Sequence, residues 1–308
     1  MTLLPGPLLS GHARLAGILG WPVGHSRSPR LHGLWLRRHD LDGAYLPLPV
    51  RPEAFSTAVR SLADLGFRGA NVTIPHKEAA FAVCNTVDAT AHRAGAVNTL
   101  VFRDGVIEGS NTDGFGFLAN CREAAPGWTP DAGPVVILGA GGSARAIAAA
   151  LLDAGCPGVT LVNRTPARAE ALARALGGPI SVAAAPPLAD AAMLVNTTSL
   201  GMQGQPGLVV DLAPLPAAAV VADIVYVPRE TPLLAAARAR GLAAVDGLGM
   251  LLHQARPGFE AWFGVTPQVD DELRAVVGGD IPAHAADRAA PGGRAAAKER
   301  SVNPQRQA

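Results

Sequence analysis

The amino-acid sequence predicts a two-domain α/β protein, with an N-terminal α/β domain followed by a Rossmann-like domain. Short β-branched, apolar strands alternate with helical patterns along most of the chain, which is typical of parallel sheets covered by helices. A glycine-rich turn joins a strand to a helix near the middle, at residues 139–144. The 308 residues, 49% of them hydrophobic, are also enough to build two cores.

Composition excludes several classes of function. A net charge of +1 gives no basic field for nucleic acid, so we expect small molecules or proteins as partners. The 3 cysteines lack metal-type spacing, which predicts no metal site and favours a reducing compartment. No apolar run approaches the roughly 18 residues of a membrane span, and the N-terminus has no basic region before its apolar residues. We therefore expect a cytoplasmic protein that does not enter a membrane.

The first predicted strand, residues 15–19, leads into a loop that contains Ser26 and Ser28. Ser28 followed by Pro29 is typical of a helix N-cap and first turn, here for a helix over 31–38. From these residues alone, the two serines are either turn and cap residues or donors to a carboxylate. A second strand at 44–48 and a helix at 52–65 follow.

The next strand runs into a polar segment where chemistry is expected. Pro75 ends the strand, so Thr73 and Lys77 can project from its carboxyl edge, where open α/β sheets bind ligands. A lone lysine is normally a solvated surface charge. Here, however, a later strand brings Asn98, and a helix start brings Asp113, toward the junction with the second domain. An ammonium beside a carboxylate in a cleft would supply an oriented proton donor.

The strand at 135–138 and its turn carry a dinucleotide fingerprint. Gly139, Gly141 and Ala144 have the G-x-G-x-x-G/A spacing, in which the glycines permit a tight turn and close approach of a pyrophosphate. A helix is expected directly after the turn, because Ala144 allows it to pack on the strand and residues 146–152 are almost all helix formers. The first N–H groups of this helix would face the anion. A glycine turn without a ligand is the alternative.

A second strand at 159–162 ends near the place, about 20 positions after the first glycine, that meets the adenosine ribose. NAD sites have an acid there, whereas this chain has Asn163 and Arg164, with Arg168 one turn further on. Guanidinium groups match a 2′-phosphate, so the sequence indicates NADP. Thr165 is placed to cap the following helix. The alternative for the arginines is a solvated helix N-terminus, although cations there oppose the helix dipole.

Three further strands are expected at 191–195, 220–225 and 242–245. The first opens into the polar residues 196–202, which would line the nicotinamide half of the cofactor. Tyr226 follows the second strand, and Gln254 lies on a helix after the third; for both, ordinary surface or core roles remain open. From Gly278 the sequence lacks apolar periodicity, which predicts a disordered tail.

The chain resembles shikimate dehydrogenases over about residues 14–270. The motifs that carry this resemblance occur in the family's order: HSRSP, NVTIPHK, AVNTL, NTDG, GAGGSARA, NRT, NTTSLGM and GLGMLLHQ. The resemblance implies a substrate-binding domain at 1–113 to which 248–277 returns, and an NADP-binding Rossmann-like domain at 114–247. The tail expected at 278–308 from composition has no family counterpart. It also implies NADPH-dependent reduction of 3-dehydroshikimate to shikimate in the chorismate and aromatic amino-acid pathway. One departure is Gly33, where the family commonly has Asn.

The resemblance assigns roles to matching positions. It makes Lys77 the catalytic lysine and Asp113 its partner. The expected substrate ligands are Ser26, Ser28, Thr73, Asn98, Tyr226 and Gln254. The expected cofactor ligands are Gly139, Ala140, Gly141, Gly142, Ser143, Asn163, Arg164, Thr165, Arg168, Ile224 and Gly247.

Other functions stay open at this point. A relative acting on quinate or an amino-substituted analogue would use the same mechanism with a few different contacts. A non-catalytic NADP sensor would keep the fold and lose turnover, although the presence of both Lys77 and Asp113 argues against it. The sequence is compatible with a monomer or a homodimer.

Overall fold

The computed structural model describes residues 9–284, which form two six-stranded sheets. The strands of the first sheet are β1 Arg14–Gly20, β2 Gly43–Pro49, β3 Gly69–Val72, β4 Thr86–Val87, β5 Thr99–Arg103 and β6 Val106–Ser110. The helices in this part of the chain are α1 Ser28–Arg38, α2 Phe55–Asp64, α3 Lys77–Val83 and α4 Ala89–Ala94. The strand order is β2-β1-β3-β5-β6-β4; β1, β2 and β3 are parallel, while β5 runs antiparallel to β3 and β6.

The second sheet is entirely parallel. Its strands are β7 Val135–Leu138, β8 Val159–Val162, β9 Ile180–Ala183, β10 Met193–Asn196, β11 Val220–Asp223 and β12 Ala243–Val245. The helices are α5 Asp113–Ala124, α6 Gly142–Asp153, α7 Pro166–Leu176, α8 Pro232–Ala239, α9 Gly247–Phe263 and α10 Asp271–Gly278. The order β12-β11-β10-β7-β8-β9 is that of a Rossmann fold, which confirms the predicted fold class.

The strand order reverses between β7 and β10, so a crevice opens beyond their carboxyl ends. β7 is buried along its whole length, as its apolar sequence predicts. The chain leaves β7 at Gly139, whose φ is +114°, and a Cβ there would lie 2.5 Å from Thr197 Oγ1. Only glycine fits this turn, which therefore sits where a ligand of the second sheet is expected to bind.

Helix α9 follows the last strand of the second sheet but packs against the first sheet. Its apolar face, including Leu252 and Phe259, shares a core cluster with Ile18 of β1. Trp262 Nε1 donates a hydrogen bond to Leu100 O at 2.9 Å. The polypeptide thus returns to the first sheet after crossing the second, while the division at 113/114 and 247/248 stays a prediction.

Several element boundaries differ from the sequence prediction. β10 begins at Met193 rather than at 191. β11 ends at Asp223, two residues earlier than predicted, and the segment expected as a helix from 52 opens with a 3₁₀ turn at Pro52–Ala54. These differences reflect local apolar patterns that extend past the point where the strands stop pairing.

The prediction of a disordered tail from Gly278 is wrong for residues 278–284. Gly278 ends α10, the side chain of Ile281 is buried, and Pro282 O and Ala283 O accept hydrogen bonds from the backbone of residues 229 and 230. One apolar side chain and two backbone bonds leave no periodic pattern, which explains the error. Residues 285–308, the rest of the predicted tail, lie outside the described residues.

Within residues 9–284, no helix combines the length and the apolar character that crossing a membrane requires.

Gly69 offers a test of how tightly α9 is held on the first sheet. A Cβ at this position would lie 2.1 Å from Leu100 O and 2.2 Å from Trp262 Nε1. We expect Gly69→Ala to lower the free energy of unfolding by about 2 to 4 kcal/mol, measured by urea denaturation. Gly33→Ala is the control: a Cβ there meets nothing within 4 Å, so removing a helical glycine should stabilise by about 0.5 to 1 kcal/mol. Equal stabilities for Gly69→Ala and the unsubstituted protein would contradict this packing.

Candidate active site

A cavity of about 200 Å³ contains every residue predicted to be catalytic or substrate-binding. It also includes three of the predicted cofactor residues, Ser143, Ile224 and Gly247. Its lining comprises Ile18, His25, Ser26, Ser28, Asn71, Val72, Thr73, Lys77, Asn98, Asp113, Ser143, Ile224, Tyr226, Gly247, Met250, Leu251 and Gln254. Residues from both sheets and from α9 therefore converge on one pocket.

Lys77 and Asp113 form an ion pair in this cavity. Lys77 begins α3 just after β3, and Asp113 begins α5. Lys77 Nζ donates to Asp113 Oδ2 at 2.5 Å, with the Asp113 side chain 8% exposed and that of Lys77 23% exposed. A buried carboxylate is costly unless it is paired, so the lysine ammonium is held at a fixed point of the cavity wall.

Asn98 connects this pair to its surroundings. Its Nδ2 donates to Asp113 Oδ1 at 2.7 Å, which occupies the second oxygen of the carboxylate. Its Oδ1 accepts from Thr112 N at 2.9 Å and from Thr99 Oγ1 at 3.0 Å. Thr112 Oγ1 in turn donates to Gln254 O at 2.8 Å. Asn98, Asp113 and Gln254, which the resemblance assigns to the substrate site, are thus joined in one network.

The prediction that Ser28 caps helix α1 is wrong. The N-cap residue is Arg27, its φ and ψ are already helical, and no side chain makes a capping hydrogen bond. Ser28 is instead the first helical residue and its side chain lines the cavity, 2% exposed. Its backbone N donates to Ser26 Oγ at 3.3 Å. Ser28 therefore does not cap the helix, and its side chain hydrogen-bonds with the buried phenol of Tyr45.

Tyr226 lines the cavity from the second sheet, three residues after β11. Burial raises the pKa of its phenol, although the charge of Arg27 acts in the opposite direction. The phenol therefore stays neutral and keeps its proton for donation. Together with Ser26 and Ser28, it supplies neutral hydroxyl donors to the cavity lining.

The predicted cofactor residues line adjoining cavities. One of about 850 Å³ lies beyond the ends of β7 and β8 and includes Gly139, Asn163 and Arg164. Another of about 590 Å³ includes Arg168, Lys77 and the turn residues Ala140, Gly141 and Gly142. The two arginines thus line different cavities in the structure, and their joint binding of one phosphate stays a prediction.

Thr165 occupies the predicted N-cap position of α7, but its side chain makes no capping hydrogen bond. Asn163 Nδ2 donates to Thr165 O at 2.8 Å, which fixes the turn between β8 and α7. This hydrogen bond shapes the turn that presents Arg164.

The residues present fit a dinucleotide. Cβ atoms added at Gly141 and Gly142 would meet nothing within 4 Å, so the backbone at the start of α6 borders open space. Helix N-termini of this kind favour phosphate groups. The position directly after β8 carries Asn163 and Arg164 rather than a carboxylate, which suits a phosphorylated ribose better than a free 2′-hydroxyl. Asp211, from the segment between β10 and β11, also lines this 850 Å³ cavity.

Sequence reasoning missed Asp223, which lies at the end of β11 and is 2% exposed. Asp223 Oδ1 accepts from Asn196 Nδ2 at 2.9 Å and Val225 N at 3.0 Å, and Oδ2 accepts from Thr231 Oγ1 at 2.8 Å. The carboxyl group thus connects the loops after β10 and β11 to the start of α8. An acid closing an otherwise apolar strand was the available signal.

Sequence reasoning also missed Asn71, which lines the cavity from β3. Tyr45 OH donates to Asn71 Oδ1 at 2.6 Å, and Asn71 Nδ2 faces Asn98 O and Thr99 Oγ1, both at 3.3 Å. Its position at the centre of a buried strand was the available signal, because a buried amide needs partners.

Asp223 gives a test of pH dependence. Burial raises the pKa of its carboxyl from 3.8 to about 6, against the hydrogen bonds that favour the charged form. The folded protein holds this proton more tightly than the unfolded chain, so the stabilisation is complete below about pH 4 and is lost as the pH rises through 6.

We therefore expect the stability of the unsubstituted protein to fall relative to Asp223→Asn between pH 4 and 7, by up to about 3 kcal/mol. Urea denaturation at several pH values measures this difference, with the exposed Asp64→Asn as the control. A difference between the protein and Asp223→Asn that does not change with pH would contradict the assignment.

Family models match three segments of the chain. The shikimate dehydrogenase substrate binding domain matches residues 18–100, the shikimate/quinate 5-dehydrogenase model matches 129–213, and the shikimate 5′-dehydrogenase C-terminal domain matches 247–276. These segments cover most of both sheets and the returning helix α9.

Known proteins agree with these matches. A shikimate dehydrogenase (NADP(+)) of Acidiphilium cryptum is 65% identical over 277 residues, covering 89% of this chain and 99% of the relative. A shikimate 5-dehydrogenase of Thermus thermophilus, solved with NADP(H) and shikimate, is 36% identical with a TM-score of 0.77, covering 86% and 98%. A quinate dehydrogenase of Corynebacterium glutamicum, solved with NAD, is 31% identical with the same TM-score and coverage. The Rossmann strand order, the convergent cavity and these relatives together show that this chain belongs to the shikimate dehydrogenase family.

Proposed function

We propose that this chain catalyses the NADPH-dependent reduction of 3-dehydroshikimate to shikimate, a step of aromatic amino-acid biosynthesis. The observation that carries the proposal is the Lys77–Asp113 pair in a hydroxyl-lined cavity that adjoins the glycine turn. The family and the NADP(+)-dependent relatives support the same reaction and cofactor.

Lys77 is the proton donor in this reaction. NADPH, when bound, supplies the hydride that reaches the carbonyl carbon. The carbonyl oxygen then gains an electron pair, and the Lys77 ammonium stabilises this charge and transfers its proton to the oxygen. Asp113 keeps the ammonium in place through the 2.5 Å contact, and Asn98 keeps Asp113 in place.

Ser26, Ser28 and Tyr226 bind the substrate carboxylate in this proposal. They are neutral donors, so they recognise the anion without the strong attraction of an arginine, and the product can leave. Thr73 provides a further polar contact. Asn98, Gln254 and Asp113 bind the ring hydroxyls, since their amide and carboxylate groups line the same cavity and are joined in one hydrogen-bond network.

Arg164 binds the 2′-phosphate of NADP in this proposal, because it lines the cavity at the end of β8, where Asn163 stands in place of an acid. Gly139 to Ser143 hold the pyrophosphate, and Asn163 and Thr165 shape the turn. Arg168 lies beside the pyrophosphate turn instead. Ile224 and Gly247 lie at the nicotinamide end, because both line the cavity of Lys77.

Quinate is the second candidate substrate, favoured by the similarity to a quinate dehydrogenase. We favour shikimate because the relative named shikimate dehydrogenase is 65% identical to this chain, whereas the quinate dehydrogenase is 31% identical over a similar share of it. Following nicotinamide absorbance with purified protein separates the candidates, when shikimate or quinate is offered with NADP⁺ or NAD⁺. Faster turnover of quinate would contradict the proposal, and turnover of neither would favour an NADP sensor.

We propose that the protein acts in the cytoplasm, as a monomer or a homodimer. All three cysteines, Cys84, Cys121 and Cys156, are free thiols, and burial raises the pKa of Cys121 to about 12. Such inert thiols support a reducing compartment. Sedimentation of the purified protein measures its oligomeric state.

The cofactor assignment predicts the effect of Arg164→Ala. Loss of a charge-assisted contact to a phosphate costs about 1.5 to 3 kcal/mol, so KM for NADP⁺ should rise roughly 10- to 100-fold while KM for NAD⁺ changes little. Arg174→Ala, an exposed arginine further along α7, is the control and should behave like the unsubstituted enzyme. If Arg164→Ala still prefers NADP⁺ over NAD⁺ as strongly as before, Arg164 does not bind the 2′-phosphate.

The mechanism predicts opposite effects for two variants. Lys77→Ala should lower kcat by roughly 10² to 10⁴ with a small change in KM, because a proton donor acts in the transition state. Ser26→Ala should weaken shikimate binding by about 1.5 to 3 kcal/mol, because a neutral donor to the carboxylate is lost. This loss should appear as a higher KM for shikimate, with a smaller effect on kcat. Steady-state kinetics of both variants measure these changes. Near-normal kcat with a greatly raised KM in Lys77→Ala would make Lys77 a binding residue.

A further inference from the structure

The described chain ends in a short segment, Asp280–His284, which we name the C-terminal strap. Its backbone runs beside the loop after β11: Arg229 N donates to Pro282 O at 3.1 Å and Glu230 N donates to Ala283 O at 2.8 Å. Glu230 and His284 also pair as an isolated parallel bridge. Tyr226 lies a few residues upstream in the same loop, so the strap is attached to one side of the cavity.

The other end of the strap is attached to the segment Ser26–Ser28, which we call the serine loop. Arg27 Nη1 donates to Asp280 Oδ1 at 2.5 Å and to Val277 O at 2.7 Å. Arg30 Nη1 lies 2.9 Å from the same Asp280 oxygen. Arg27 stands between Ser26 and Ser28, and its side chain is only 13% exposed. The position of Asp280 therefore bears directly on the segment that presents both serine hydroxyls.

Between these two attachment points, the strap is held by a buried apolar side chain. Ile281 is 6% exposed and belongs to the same core cluster as Leu31 of α1, with Tyr226 and Val227 packed against it. The hydrogen bonds from Arg27 and Arg30 lower the pKa of Asp280 to about 2, so its carboxylate stays charged at neutral pH. The strap thus contacts both loops that supply hydroxyl donors.

We propose that the C-terminal strap is a positioning element, which holds the Ser26–Ser28 loop and the Tyr226 loop at the separation that a substrate carboxylate requires. The proposal rests on the proposed function for the identity of the ligand. The strap does not touch the substrate; it acts through Arg27 on one loop and through residues 229 and 230 on the other. Neutral donors bind a carboxylate only when they converge, so a small shift of either loop weakens binding.

Two truncations of the full chain test the proposal. A chain that stops after Gly279 lacks the strap, whereas a chain that stops after His284 keeps it and is the matched control. We expect the shorter chain to raise KM for shikimate about tenfold or more, with KM for NADP⁺ and kcat changed less than about threefold. Asp280→Ala should show a smaller rise of the same kind, and Asp280→Glu should restore most of the affinity. Equal KM values for the two truncations, or a parallel rise for shikimate and NADP⁺, would overturn the proposal.

Hydrogen exchange keeps this test separate from the proposed function, because it requires no turnover. Loss of the strap should speed amide exchange in residues 24–31 and 225–231 of the folded protein, relative to the control truncation. Exchange around the glycine turn at 139–145 should not change. Unchanged exchange in both loops would overturn the strap's role even if shikimate is the substrate. If the full chain does not turn over shikimate while the two loops loosen, the proposed function fails and the strap's positioning role stands.

Discussion

The charge of Asp113 is the constraint on which the rest of the site depends. A carboxylate buried to this degree needs a partner on each oxygen, and it has Lys77 on one and Asn98 on the other. Lys77 follows a strand of the first sheet, while Asp113 begins the helix that leads toward the second. Pairing them fixes where the two parts of the chain meet, and Asn98 extends the same network through Thr112 to α9.

Asp223 shows what the same kind of group does without a cation. It is as buried as Asp113, but it accepts hydrogen bonds from the neutral donors of Asn196, Val225 and Thr231. Burial therefore dominates and raises its pKa to about 6. The pair at Asp113 presents an oriented ammonium to the cavity, whereas Asp223 joins the loops around Ile224 and Tyr226. In the proposed reaction, Asp113 holds the lysine that donates the proton, whereas Asp223 holds the neighbouring loops in position.

The sequence predicted those features that depend on local pattern. The strand-turn-helix at 135–144, the strand ends that carry Thr73 and Asn98, and the absence of an acid near Arg164 are each visible within a short window. The missed features depend on residues far apart in sequence. The bond between Arg27 and Asp280 leaves no local signal, and neither does the separation of Arg164 and Arg168 into different cavities. Asn71 and Asp223 left a local signal, a polar residue in or at the end of an apolar strand, but their partners Tyr45 and Asn196 lie far away in sequence.

Neutral hydroxyls, rather than cations, are offered to the substrate carboxylate in the proposed reaction. An arginine aimed at the substrate carboxylate would bind it strongly in every state, including the product state, and would slow release. This chain has an arginine next to both serines, but its guanidinium is turned away and paired with Asp280 and Val277 O. The cation therefore orders the loop from behind while neutral hydroxyls face the cavity. Strong electrostatic pairing is used to build the site, and weaker hydrogen bonding is left to bind the ligand.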